Sequence, residues 1–257
     1  MINYWMCFFL SLKALLERED IPSDAKEVIR NTIKENLERN QISAAGGDVT
    51  MTSIFNPYRL ELIIGNMYSG KSKELIKRAV KAKENNIPTF VFKPSLDERS
   101  TDLMSKAGLR IKCTSLSNSK DILTNIQDSS LILIDEVQFF DESIVYIIQY
   151  LINKGNNVVA AGLNRDFRGQ PFYITSFLTT LADKITNLYS KCSIEGCKNK
   201  GTRTQRFRDG KPDSLFSKTV EIEFVVEKID YMPVCKEHHR IPDFKEYIEE
   251  KIKTKLV

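Results

Sequence analysis

The sequence predicts an α/β fold: a parallel sheet flanked by helices, with a small cysteine-bearing unit appended. Three observations predict it. From Arg59 onward, short apolar runs alternate with helix-patterned stretches. A glycine-bounded loop, "GNMYSGKS" at residues 65–72, joins the first such pair. Three of the five cysteines and both histidines crowd into residues 192–239. Nearly continuous apolar runs suit strands buried on both faces, and the helices between them supply parallel crossovers.

The N-terminal stretch, residues 1–50, reads as a helical extension with a linker. Ile21-Pro22-Ser23-Asp24 breaks and caps it, and "QISAAGGDVTMTS" carries Gly46-Gly47 and small polar residues. Met51 stands just before the main domain and could itself be a start. The apolar opening is about half the ~20 residues that span a bilayer, and Lys13 interrupts it, so an amphipathic helix is expected and no membrane partner.

Residues 56–187 form the main domain. "LELIIG", "PTFVFKP", "SLILIDE" and "NNVVAAGL" are its strands. "KSKELIKRAVKAKENN" sets Leu75, Ile76, Ala79 and Val80 at helical spacing, and "SIVYIIQYLINKG" is a second helix. Over residues 188–242 the character changes: "TRTQRFRDGKP" is polar and turn-rich, and "TVEIEFVVEKIDY" alternates like a solvated ribbon. Residues 243–257 read as a charged helical tail.

At 257 residues and 42% hydrophobic, the chain buries one sizeable core and a smaller unit. A net charge of +4, from 38 basic and 34 acidic residues without a basic block, neither demands nor excludes nucleic acid. The arginines of "GTRTQRFRDGKP" lack the interleaved aromatics of a single-strand platform, so no stable nucleic-acid partner is expected. An odd number of cysteines in a chain too large to need staples predicts reduced thiols and a cytoplasmic location.

"GNMYSGKS" satisfies G-x-x-x-x-G-K-S/T with a strand before and a helix after, the setting of a P-loop nucleotide site. Gly65, Asn66, Met67, Tyr68, Ser69 and Gly70 would present backbone N–H groups to phosphate oxygens, Lys71 would span the later phosphates, and Ser72 would reach Mg²⁺. Downstream, "LILIDEVQFF" ends a strand with two acids. Asp135 can hold Mg²⁺ through water, and Glu136 lies beside the phosphate being transferred. A hydrolase would use that glutamate to orient water, a kinase to take a proton from a hydroxyl.

"CSIEGC" and "CKEHH" flank the polar ribbon, and Cys192, Cys197, Cys235 and His238 make a three-thiolate, one-imidazole set suited to structural zinc, with His239 as an alternative ligand. Phe139, Phe140, Phe167 and Phe172 sit at strand ends, where aromatics either cover the sheet edge or sandwich a flat base.

Taken together, "GNMYSGKSKELIKR", "KPSLDER", "IDEVQFF", "GLNRDFRGQPF", "TRTQR" and "DYMPVCKEHH" resemble the zinc-containing, P-loop (type II) thymidine kinases over residues 60–242. The resemblance implies a RecA-like P-loop NTPase sheet with a zinc-binding lasso domain. It implies transfer of the γ-phosphate of ATP to the 5′-hydroxyl of thymidine, with Glu136 as general base. It places Asp97, Glu98 and Arg99 in a phosphate-contacting loop and Gln138 in the nucleotide site. Met67, Leu163, Phe167, Phe172 and Thr204 would surround the thymine and deoxyribose. Ile222, Glu223, Phe224, Val225, Val226 and Tyr231 would form a lasso closing over the base, its ends anchored by zinc. A cytosolic homotetramer, inhibited by product nucleotide, is also implied.

The chain departs from the family pattern at its C-x4-C, where the family has C-x2-C, and at Val226 and Glu227, which replace two glycines. Asn164 replaces an aspartate and Lys106 a histidine. Two other readings are a P-loop NTPase acting on a macromolecule and a nucleotide-binding relative without catalysis.

Overall fold

The structure, a computed structural model, describes residues 23, 26–27, 29–31, 59–95, 102–104, 110–126, 130–220 and 228–255. Of the expected N-terminal extension, the few described residues are helical and Ile29 is buried. The rest of that extension, the Asp97, Glu98 and Arg99 loop, Lys106, and lasso residues Ile222, Glu223, Phe224, Val225, Val226 and Glu227 lie outside the described residues.

Strand β1 (Leu60–Gly65) leads through the glycine-bounded loop into α1 (Lys71–Glu84), then β2 (Thr89–Pro94). A short pair, β3 (Asp102–Met104) and β4 (Arg110–Lys112), precedes β5 (Thr114–Leu116) and β6 (Leu131–Ile134). Helix α2 (Ser143–Asn153), β7 (Asn157–Leu163), α3 (Tyr173–Leu181) and β8 (Lys184–Leu188) complete the main sheet. Its six strands run β5-β2-β6-β7-β1-β8, and every pairing is parallel.

The period-two pattern of β1 explains its two-sided burial. Leu60, Leu62 and Ile64 pack with Ile132, Ile134 and Ala160 under Ile144, Ile148 and Leu151 of α2 and Ile174 and Leu178 of α3. Ile63 points the other way, joining Leu133, Val159 and Ala161 beneath Leu75, Ile76 and Ala79 of α1. Each such aliphatic side chain contributes roughly 1.5–3 kcal/mol on burial. One member of the expected α1 stripe is misplaced: Val80 is 48% exposed, and Ala82 is buried instead. At roughly 100° per residue, position 82 lies closer to the centre of the Leu75–Ile76–Ala79 face than position 80 does.

Glu61 is the buried polar exception in β1. The Arg78 guanidinium grips both its oxygens, at 2.9 and 3.2 Å, and Lys184 lies 3.0 Å away. Burial pushes Glu61 up, but these cations outweigh it and leave its pKa below the ordinary value.

Beyond β8 the strands are short and antiparallel. β9 (Ser190–Lys191) pairs β10 (Lys200–Gly201), and β11 (Arg203–Arg208) lies between β12 (Lys211–Pro212) and β13 (Ile229–Val234). Helix α4 (Phe244–Lys255) follows where the charged tail was expected. Among the described residues, no helix is long and apolar enough to cross a membrane.

Candidate functional site

The parallel sheet directs the loop after β1 and the acids after β6 to the same carboxyl edge, where open α/β sheets bind ligands. Lys71 opens α1 and is buried, its Nζ donating to the Asn66 carbonyl at 3.0 Å. Ser72 Oγ donates to Asp135 Oδ2 at 2.8 Å, so the lysine, the hydroxyl and the acid expected to share the phosphate site meet there.

The charges are poorly solvated. Burial lowers the Lys71 pKa, with Glu136 and Asp135 partly restoring it. Burial, then the neighbouring Glu136 charge, pushes Asp135 up to about 7, against the Ser72 hydrogen bond and the Lys71 charge. Asp135 Oδ1 is buried without a hydrogen-bond partner. A hard cation taking oxygen ligands fits this pair of donors, because it would satisfy the orphaned oxygen and offset the crowded negative charge.

Glu136 adopts a left-handed backbone conformation, φ 48°, which is costly for a residue with a Cβ and turns the chain sharply off β6. Gln138 Nε2 donates to Glu136 Oε2 at 2.6 Å, while Gln138 Oε1 accepts from Leu163 N at 2.9 Å. Gln138 is buried, with both ends of its amide engaged inside the protein.

The loop is tied to the ribbon as well as to the sheet. Met67 N donates to Thr204 Oγ1 at 3.1 Å, and Asn66 Nδ2 donates to Ser190 Oγ at 2.9 Å and to the Arg203 carbonyl at 3.3 Å. Leu163 ends β7 and is largely buried. Phe139 and Phe172 meet edge to face, 5.9 Å between ring centres, whereas Phe140 belongs to the core under α2. Phe167 sits in a turn braced by Asp166, whose Oδ1 accepts from Arg168 N and Gln170 N, both at 2.9 Å. Tyr231 is half-buried on β13, opposite Arg206 in the ladder.

Several partners behind these groups carried no sequence signal. Arg206 belongs to a polar, turn-rich stretch of sequence, yet it is fully buried. Its guanidinium carbon lies 3.5 Å from the Phe167 ring centre, and its Nε donates to Asp213 Oδ2 at 2.6 Å. Arg203 is held below its ordinary pKa by burial and then by the charge of Arg165, so two guanidiniums oppose each other beside the loop.

Cys192, Cys197, Cys235 and His238 converge, their ligand atoms all within 4.8 Å of one another. Cys192 Sγ is 3.6 Å from His238 Nδ1, Cys235 Sγ is 3.2 Å from it, and Cys197 Sγ is 3.9 Å from Cys235 Sγ. Tetrahedral zinc with bonds of about 2.3 Å to sulfur sets its ligands ~3.5–3.8 Å apart, so the donors and spacing fit that metal. The long C-x4-C closes through a turn in which Cys197 N donates to the Ile194 carbonyl at 3.1 Å. Gly196 takes the positive φ that turn needs, 73°. His238 is the histidine in the cluster. His239 instead places Nε2 2.8 Å from the Phe167 carbonyl, linking the cluster to the aromatic turn.

The genome packaging NTPase B204 of Sulfolobus turreted icosahedral virus 2, solved with ATP-gammaS, is similar at 15% identity and TM-score 0.36, over 55% of this chain and 79% of that one. The Thermotoga maritima RuvB Holliday junction branch migration motor is similar at 14% identity and TM-score 0.33, over 66% of this chain and 46% of that one. At such distances the chemistry must be read from the site itself. The model of the thymidine kinase family matches residues 58–239, from the strand before the loop through the last cysteine and both histidines, and the chain belongs to the thymidine kinase family.

Proposed function

We propose that the protein is an ATP-dependent thymidine kinase, moving the γ-phosphate of ATP to the 5′-hydroxyl of thymidine to give dTMP. The observation that carries this reading is the joining of two half-sites: Met67 and Asn66 of the phosphate loop are bonded directly to Thr204 and Arg203 of the ribbon. A nucleotide held by the loop and a nucleoside held against Phe167, Leu163 and Thr204 would therefore share one cleft.

In this reading the loop amides and Lys71 hold the donor phosphates, and Ser72 and Asp135 hold Mg²⁺. The metal ion, when bound, offsets charge on the transferring phosphoryl group. Glu136 accepts the 5′-hydroxyl proton as the oxygen bonds to the γ-phosphorus. The bond to the bridging oxygen breaks, and ADP leaves. Met67, Leu163, Phe167, Phe172 and Thr204 would surround the thymine and deoxyribose. Tyr231 and residues 222–226 form the lasso, with Asp97, Glu98 and Arg99 on the phosphates. Zinc on Cys192, Cys197, Cys235 and His238 fastens the lasso's base. Kinship further suggests two functional units, 56–187 and 188–242, in a cytosolic homotetramer.

The test is phosphate transfer from labelled ATP-Mg to a nucleoside panel including thymidine and deoxyuridine, with a no-acceptor control. Label should appear on thymidine, and Glu136→Gln should lose about 10²–10⁴-fold in rate. If no nucleoside accepts label, the kinase reading fails, and ATP loss in the control would point to a hydrolase.

A further inference from the structure

We propose that Gln138 is a positioning residue that clamps the Glu136 carboxylate to the end of strand β7; the inference rests on Glu136 being the base in the reading above. The amide orientation follows from chemistry. A backbone N–H can only donate, so the group facing Leu163 N at 2.9 Å must be Oε1. Nε2 is thereby turned to Glu136, where it donates to Oε2 at 2.6 Å. A neutral donor on a carboxylate is among the stronger hydrogen bonds, and burial of Gln138 holds it in place.

Glu136 needs such an anchor. Its backbone occupies a costly left-handed turn, and its side chain has several torsions to fix. Among the described residues, Gln138 supplies the one hydrogen bond to the Glu136 carboxylate, and it occupies Oε2 alone. Oε1 is left to receive the proton. The clamp is itself packed in place: a Cβ on Gly162 of β7 would come within 2.6 Å of Gln138 Oε1 and 2.9 Å of Val137 Cγ1. The glycine leaves the space in which the amide lies, so Gly162, Gln138 and Glu136 form one line of contact from the sheet to the reacting proton.

Two roles for Gln138 can be separated by Gln138→Glu. The variant keeps an acceptor for Leu163 N–H but replaces the donor to Glu136 with a second carboxylate. Misplacing a catalytic group by about 1 Å commonly costs ~10²-fold, so kcat should fall roughly 10–10²-fold while KM for ATP and thymidine stays near wild type, with a lowered melting temperature from the added buried carboxylate. In a Glu136→Gln background the same change should cost nothing further, because the residue acts only through the base. Wild-type kcat in Gln138→Glu, or an equal loss in both backgrounds, would overturn the proposal. Should that variant not fold, Gly162→Ala displaces the amide from the other side. It should lower kcat about tenfold without raising either KM, and wild-type kcat there overturns the proposal as well. Failure of the base assignment is a distinct result: Glu136→Gln alone would turn over at the wild-type rate.

Discussion

Strand β1 buries all six of its residues between two layers of helix, whereas β11, of equal length, buries three, and those are Thr204, Gln205 and Arg206. The first is held mainly by apolar contact, which needs only side chains of suitable size and the right period, with Glu61 as its one ion-paired member. The second keeps polar groups dry, which is favourable only where every one finds a partner. Arg206 meets Asp213, the Thr219 carbonyl and the Phe167 face, with its Nη2 left buried without a hydrogen-bond partner as a remaining cost; Gln205 Oε1 accepts from Arg240 N, and the cysteine cluster closes the unit. The apolar cluster there amounts to Cys192, Val234 and Cys235, with Cys197 and Met232 against it. Order in the ribbon therefore leans on polar pairing far more than order at the sheet does, where Glu61 with Arg78 and Lys184 is the exception.

Metal removal should divide the two regions most sharply. Structural zinc contributes on the order of 10 kcal/mol to small domains of this kind, so a chelator should open residues 188–240 to proteolysis while the sheet's helical signal persists. Elemental analysis should find about one zinc per chain. A value well below that, in carefully purified protein, would break the comparison. Next comes the buried ion pair. Asp213→Ala leaves the Arg206 guanidinium uncompensated and should cost about 3–5 kcal/mol, whereas Asp213→Leu with Arg206→Met should cost far less. Denaturant unfolding distinguishes the two, and equal losses would mean that polar pairing is not what organises β11.

Ile63→Val, in the sheet core, should cost about 1 kcal/mol, by the same amount with and without chelator. A chelator-dependent cost would show that the regions share stability. The smallest effect is a dependence on acid that both should share. Burial pushes Glu61 and Asp213 up, but Arg78 and Lys184 on the first, and Arg208 and Ser217 on the second, hold both below their ordinary values. A carboxyl depressed in the folded state contributes stability above its unfolded pKa of about 4 and loses it as pH falls through the folded value. The share of stability that Glu61 and Asp213 carry should thus be fully present near neutrality and decline below about pH 4, with Glu61→Gln removing the sheet's part of that decline.

Much of the site was legible because its signals are local. A loop bounded by Gly65 and Gly70, a lysine and a serine at the helix start, and two acids ending an apolar strand each declare their chemistry within a few residues. Cysteines in two short clusters did the same for the metal set. Val80 shows the limit of reading periodicity: an apolar residue near a buried face is not necessarily in it. Arg206 shows the limit of reading polarity, since nothing in "TRTQRFRDGKP" tells a solvated arginine from one stacked on Phe167.

The sequence by itself determined the α/β class, the phosphate loop, the acid pair and the donor types of the metal cluster, because period, turn chemistry and ligand identity are encoded within short windows. Tertiary structure decided which histidine joins the cysteines, what stands behind Phe167, and how Glu136 is held. The partners concerned lie far apart in the chain: Gln138 and Leu163 by 25 positions, Phe167 and His239 by 72, Met67 and Thr204 by 137. Such pairs meet only once strand order and the path of the ribbon are set. That is a property of the packed chain, and no local pattern carries it.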